Sequence, residues 1–136
     1  MHKHRENYQK NQQTPSTPAI SIYYSLRKCL DIIDREGGIE KWAQKHKAAS
    51  EYVQSRVKGM GFKLIPEPGC ESWSLTAFYC DNAEEIKKAM LEKYKITIVG
   101  CKGELKGKGL RIAHMGNFQM EDLEFCLDAL EKLAKT

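Results

Sequence analysis

The chain has 136 residues, 41% of them apolar and 29% charged, with a net charge of +4. That length supports one hydrophobic core and not two, and no apolar run is long enough to cross a bilayer. The lysines are spread out, and the densest basic stretch, Lys102–Lys108, contains Glu104 and no aromatic residue, so neither a membrane nor a nucleic-acid partner is expected.

The opening stretch, Met1–Gln13, is polar throughout, without the apolar segment of a signal peptide. The expected location is therefore cytoplasmic. The five cysteines, Cys29, Cys70, Cys80, Cys101 and Cys126, are odd in number and include no C-x-x-C pair. A disulfide framework or zinc site calls for closer, repeated spacings, so no metal is expected and the thiols are read as reduced.

In chain order, residues 1–18 read as an extended arm, since they lack an apolar period and Pro15 and Pro18 restrict the backbone. A helix is expected after Pro18, with the stripe Ile20, Tyr23, Leu26, Leu30 and Ile33, ending at Gly37-Gly38. A second should run from about Ile39 to Met60, with Trp42, His46, Ala49, Val53 and Val57 on one side. His46 on that stripe is expected to be packed and not a ligand. Short strands follow, at Phe62–Pro66 and at Ser72–Cys80, where Trp73, Leu75, Ala77 and Tyr79 alternate with Ser74, Thr76, Phe78 and Cys80. Asp81 or Asn82, with Glu84 or Glu85, suggests a capping box for a helix to about Tyr94. Lys95–Val99 and Leu110–His114 read as strands around a Gly-rich loop. A last helix starts near Gln119, with Leu123, Cys126, Leu127, Leu130 and Leu133 facing inward. The expected fold is a two-layer α+β sandwich over residues 19–136, a small, mostly antiparallel sheet with helices on one face.

No Ser-His-Asp set and no phosphate loop is present; the Gly-Lys steps of Gly100–Gly109 lack the required spacing. His114, at a strand end, reads as part of a turn. Arg111 lies between Leu110 and Ile112 and should face away from both. It is either a solvent-face arginine or a guanidinium awaiting an anion, whose planar fork suits a carboxylate. Gln13, Thr14, Ser16 and Thr17 offer an amide and hydroxyls around prolines that could line an anion site, although such a run is usually a plain linker.

Together these pieces resemble the C-terminal domain of class V, fold type I, pyridoxal-phosphate-dependent aminotransferases. The resemblance rests on Thr14–Arg27, on Glu36–His46, on Trp73-Ser-Leu-Thr-Ala77, and on Ile96–Gly100 followed by Gly107-Lys-Gly-Leu-Arg-Ile-Ala-His-Met-Gly116. It is nearest to the alanine–glyoxylate, serine–glyoxylate and archaeal aspartate aminotransferase branch. It implies that Arg111 clamps a substrate α-carboxylate, and that Gln13, Thr14 and Ser16 or Thr17 reach the cofactor phosphate across a homodimer. It also implies an amino acid and a 2-oxo acid as substrates of the parent enzyme. The family's catalytic lysine, acidic partner of the pyridine nitrogen and main phosphate cup match nothing here. The isolated chain is therefore expected to bind no cofactor and to be inactive. A free-standing small-acid-binding regulatory module and the small subunit of a split aminotransferase remain as alternatives. A lyase or desulfurase reading would need a reactive cysteine loop, which Gly100-Cys101-Lys102 does not resemble.

Overall fold

A computed structural model describes residues 2–12 and 17–135 of the chain. It divides into two compact units, Met1–Ile39 and Glu40–Thr136.

In the first unit, His2–Asn11 forms helix α1 where an extended arm was expected. The segment is free of Gly and Pro, and five of its ten residues are Lys, Arg, Glu or Gln, so local propensity supports a helix that has no apolar face. Helix α2, Ile20–Arg35, follows. It stops at two glycines with φ of 99° and 88°, Gly37 and Gly38, values that only glycine adopts at little cost. None of its residues is buried, and Ile20, Tyr23, Leu26 and Leu30 of the expected stripe are all exposed.

In the second unit, helix α3 (Gly38–Gly59) buries Ala49, Ser50, Val53 and Val57, the spacing of one helical face. Strand β1 is Leu75–Tyr79, helix α4 Ala83–Tyr94, strand β2 Val99–Gly100, strand β3 Gly109–Ala113 and helix α5 Met120–Ala134. A single 3₁₀ turn, Gly103–Leu105, lies in the Gly-rich loop. The sheet runs in the order β1-β3-β2, antiparallel throughout. Leu75 pairs with Ala113 and Tyr79 with Gly109 across β1 and β3; Val99 pairs with Arg111 across β2 and β3.

Phe78, Leu110 and Ile112 meet Met90 of α4 and Leu123, Leu127 and Leu130 of α5 in one core, with Val53 and Val57 of α3 in the same cluster. Apolar side chains on one sheet face, covered by helices, are what an α+β two-layer domain requires. Arg56 ties α3 to α5 with bonds to Asp128 (2.8 Å) and Glu131 (3.0 Å), and within α3 it donates to the Tyr52 hydroxyl (3.0 Å). These partners raise its pKa, the Asp128 bond most, and Glu131 is lowered by Lys135 first and Arg56 second.

Several expectations are corrected. Phe62–Pro66 contributes one bridge, Leu64 to Phe78, instead of a strand. Lys95 adopts a left-handed conformation at the end of α4, and of the expected strand Lys95–Val99 only Val99 pairs, together with Gly100 beyond it. Asn82 caps α4 without a side-chain hydrogen bond, so no capping box forms there. On β1, where the alternation left the inner face open, it is Thr76 and Phe78, with Cys80 just beyond, that face the core, while Trp73 and Tyr79 are exposed.

Candidate functional site

Arg111 stands at the centre of β3, the middle strand of the sheet. Leu110 and Ile112 beside it are buried against the helices, and Arg111 is half-buried on the opposite face. The alternation read from the sequence therefore holds. Its guanidinium is already oriented. Nε donates to the Gly100 carbonyl at 3.2 Å and Nη2 to the same oxygen at 3.0 Å.

A guanidinium carries five N–H donors, and two are used here. The Nη1 edge and the outer N–H of Nη2 remain, a second parallel fork that matches the two oxygens of a carboxylate. Arg111 lines an open cleft of about 370 Å³, with Leu75, Thr97, Val99, Phe118 and Asp122 among its walls. The cleft is mostly apolar, which strengthens any charged contact made in it.

Three residues on, the sheet is fastened by a residue that sequence reading placed in a turn. His114 is completely buried. Its Nδ1 lies 3.0 Å from the Trp73 carbonyl and its Nε2 2.9 Å from the Thr76 hydroxyl. A carbonyl only accepts, so Nδ1 carries the proton and Nε2 accepts from Thr76. Burial lowers the His114 pKa, the largest influence on it, so the ring is held neutral. The backbone N–H of His114 also donates to the Ser74 carbonyl at 2.9 Å. Alongside, Gln54 donates to the Ser50 hydroxyl (2.7 Å), which donates to the Ser72 carbonyl (2.9 Å). Residues 72–74 are thus pinned carbonyl by carbonyl at the entry to β1. The signal for His114 was available, because it shares parity with Leu110 and Ile112 and so belongs on the buried face.

Of the residues expected at a phosphate, Gln13, Thr14 and Ser16 lie outside the described residues. Thr17 is exposed and outside regular structure, in the first unit, whereas Arg111 is in the second. His46 is half-buried; its Nδ1 lies 2.8 Å from the Trp42 carbonyl and its ring packs edge-on against Phe118. Burial raises the thiol pKa of Cys80, and that of Cys126 to about 11, so both stay protonated near neutrality.

No protein-family model matches the chain. An uncharacterized aminotransferase of Methanocaldococcus jannaschii is 31% identical over 116 residues, 83% of this chain and 30% of that protein. The soluble hydrogenase small subunit of a Synechococcus strain is 28% identical over 131 residues, 95% of this chain and 34% of that protein. Among solved structures, the alanine–glyoxylate aminotransferase of a Nostoc species superposes with a TM-score of 0.79 at 29% identity, covering 95% of this chain and 35% of that one. The relatives and structural neighbours are aminotransferases of the class V type, and the chain matches one domain's length of them, as a C-terminal domain would. It spans about a third of the length of the relatives it matches. The domain's three-stranded antiparallel sheet and helices match the small domain of fold type I neighbours. Among the described residues, no helix is long and apolar enough to cross a membrane.

Proposed function

We propose that the domain grips the α-carboxylate of an amino acid or 2-oxo acid through Arg111, as the C-terminal part of an aminotransferase. The observation that carries this is the half-used guanidinium. Its Nε side is fixed on a backbone carbonyl and its outer edge lines an apolar cleft. Among the described residues Arg111 forms no ion pair. A guanidinium at such a place is stabilised once an anion meets it.

Pyridoxal phosphate, when bound in such an enzyme, withdraws electrons from the substrate Cα so that the amino group can be exchanged. The exposed hydroxyl of Thr17 suits a phosphate contact, with Gln13, Thr14 and Ser16 beside it in sequence. We assign that segment a phosphate-binding role shared across a homodimer, and place the assembly in the cytoplasm. No lysine among the 136 residues is assigned the cofactor. The part of this chain is to recognise and orient the substrate, and by itself it does not transaminate.

The test is a chimera in which residues 17–136 replace the equivalent third of the Nostoc alanine–glyoxylate aminotransferase. Transamination that depends on Arg111 supports the reading. A folded, cofactor-loaded chimera indifferent to Arg111 sinks it. The one-third coverage also fits a small subunit paired with a separately encoded large domain. Sequencing the DNA immediately upstream separates the two, through one continuous frame or two genes.

A further inference from the structure

The carbonyl that orients Arg111 belongs to Gly100, and the next residue, Cys101, packs closely against Gly109 of β3. A Cβ built on Gly109 would lie 2.9 Å from Cys101 Sγ, 3.0 Å from the Phe78 carbonyl oxygen and 3.2 Å from Ile65 Cδ1. All three are tighter than ordinary carbon contacts, and one neighbour is backbone that cannot swing aside. Glycine is required here for space; its φ is not in the left-handed range.

Gly109 and Arg111 are two apart on β3, so the missing Cβ and the guanidinium share a face. Cys101 Sγ lies close against the place where that Cβ would be, and the Cys101 N–H donates to the Gly109 carbonyl at 2.9 Å. Cys101 follows Gly100 directly, and the Gly100 carbonyl is the acceptor that receives both Nε and Nη2 of Arg111. A methyl group on residue 109 would push Cys101 outward and carry that carbonyl with it.

We propose that Gly109 is a positioning residue for carboxylate recognition. By letting Cys101 close over β3, it sets the Gly100 carbonyl where it occupies the Nε side of Arg111. The carboxylate is then met end-on, by Nη1 and Nη2 together, and the side-on approach through Nε is closed. This rests on the assignment of Arg111 as the carboxylate contact. It adds which edge of the guanidinium binds and which residue dictates it.

The test uses the 136-residue chain, nitrogen-15 NMR of the arginine side chains, and acetate as a bare carboxylate at constant ionic strength against chloride. In the wild type the Arg111 Nε–H exchanges with water more slowly than that of exposed Arg5, and acetate shifts the Arg111 Nη signals while leaving Nε–H in place. Gly109→Ala speeds Nε–H exchange by about tenfold and weakens acetate binding by about three- to tenfold, because one of two hydrogen-bonded forks is misaligned. Cys101→Ala in the Gly109→Ala background removes the 2.9 Å contact and restores part of both signals. Gly107→Ala, at a φ of +77° with open space around it, strains the backbone but leaves the Arg111 signals unchanged. Should Gly109→Ala fail to fold, Cys101→Leu crowds the same contact from the other side and is expected to release Nε–H in the same way.

Unchanged Nε–H exchange and acetate affinity in folded Gly109→Ala overturn the positioning role and leave the carboxylate reading standing. A wild-type Arg111 that acetate does not shift at all, with its Nε–H still protected, overturns the carboxylate reading and the end-on approach with it.

Discussion

Replacing His114 by alanine tests whether the sheet is held together as described. The ring is completely buried and makes two hydrogen bonds. Removing a buried side chain of this size costs about 2–4 kcal/mol through lost packing and the cavity left behind. The Trp73 carbonyl and Thr76 hydroxyl then lose their partner, at about 1 kcal/mol for the pair once water takes over part of the bonding. The expected loss is about 3–5 kcal/mol, a large share of the stability of a domain this size. Urea unfolding should show it as a midpoint lower by about 2 M, for a slope near 1.5–2 kcal/mol per molar.

The pH dependence gives a sharper test. Burial lowers the His114 pKa, so the unfolded chain binds this proton more readily than the folded one. The stabilisation is complete above the ordinary histidine pKa of about 6.5 and is lost as pH falls from there through the folded value. Wild type should therefore weaken between about pH 7 and pH 5 while His114→Ala does not share that loss. The gap between them must narrow on acidification. A gap below about 1 kcal/mol at neutral pH, or one that stays constant down to pH 5, would refute the buried neutral latch.

Arg111→Lys in the Nostoc chimera keeps the charge but loses the two-pronged geometry, and should lower kcat/KM by about 30- to 1,000-fold, worth about 2–4 kcal/mol. Arg111→Ala should be at least as harmful there, yet shift the thermal midpoint of the isolated chain only slightly; outright unfolding would make Arg111 a structural residue. The isolated chain, mixed with pyridoxal phosphate and borohydride, should give no stoichiometric adduct on a single lysine, and mass spectrometry that finds one would contradict the proposed division of labour. Arg56→Met should lower the unfolding midpoint by an amount that shrinks as salt is raised, because its bonds to Asp128 and Glu131 are partly exposed. The same loss should also shrink as pH falls through the carboxylate range, since the lowered Glu131 pKa contributes stability only above the unfolded value and loses it on protonation.

The sequence by itself determined the helices after Pro18, the α+β class and the parity of the third strand, though not helix α1. Helix spacing in Val53 and Val57, or in Leu123, Leu127 and Leu130, is a local repeat that any fold using those segments must bury on one side. The same holds for Arg111 between Leu110 and Ile112, since alternation along a strand is covalent geometry. The aminotransferase resemblance was equally legible, because it lies in short motifs whose order the fold keeps. Only the tertiary structure decided what depends on partners distant in sequence. It chose Thr76 and Phe78 over Trp73 and Tyr79 as the inner side of the β1 segment, where Phe62 meets the Phe78 ring and His114 the Thr76 hydroxyl. It shortened β2 to two residues, because pairing with β3 and not propensity defines a strand. It gave both ring nitrogens of His114 partners about forty residues away, and turned Arg111 toward the cleft through a carbonyl eleven residues upstream. Such contacts are fixed by packing in three dimensions, and a one-dimensional pattern does not encode which atoms will meet.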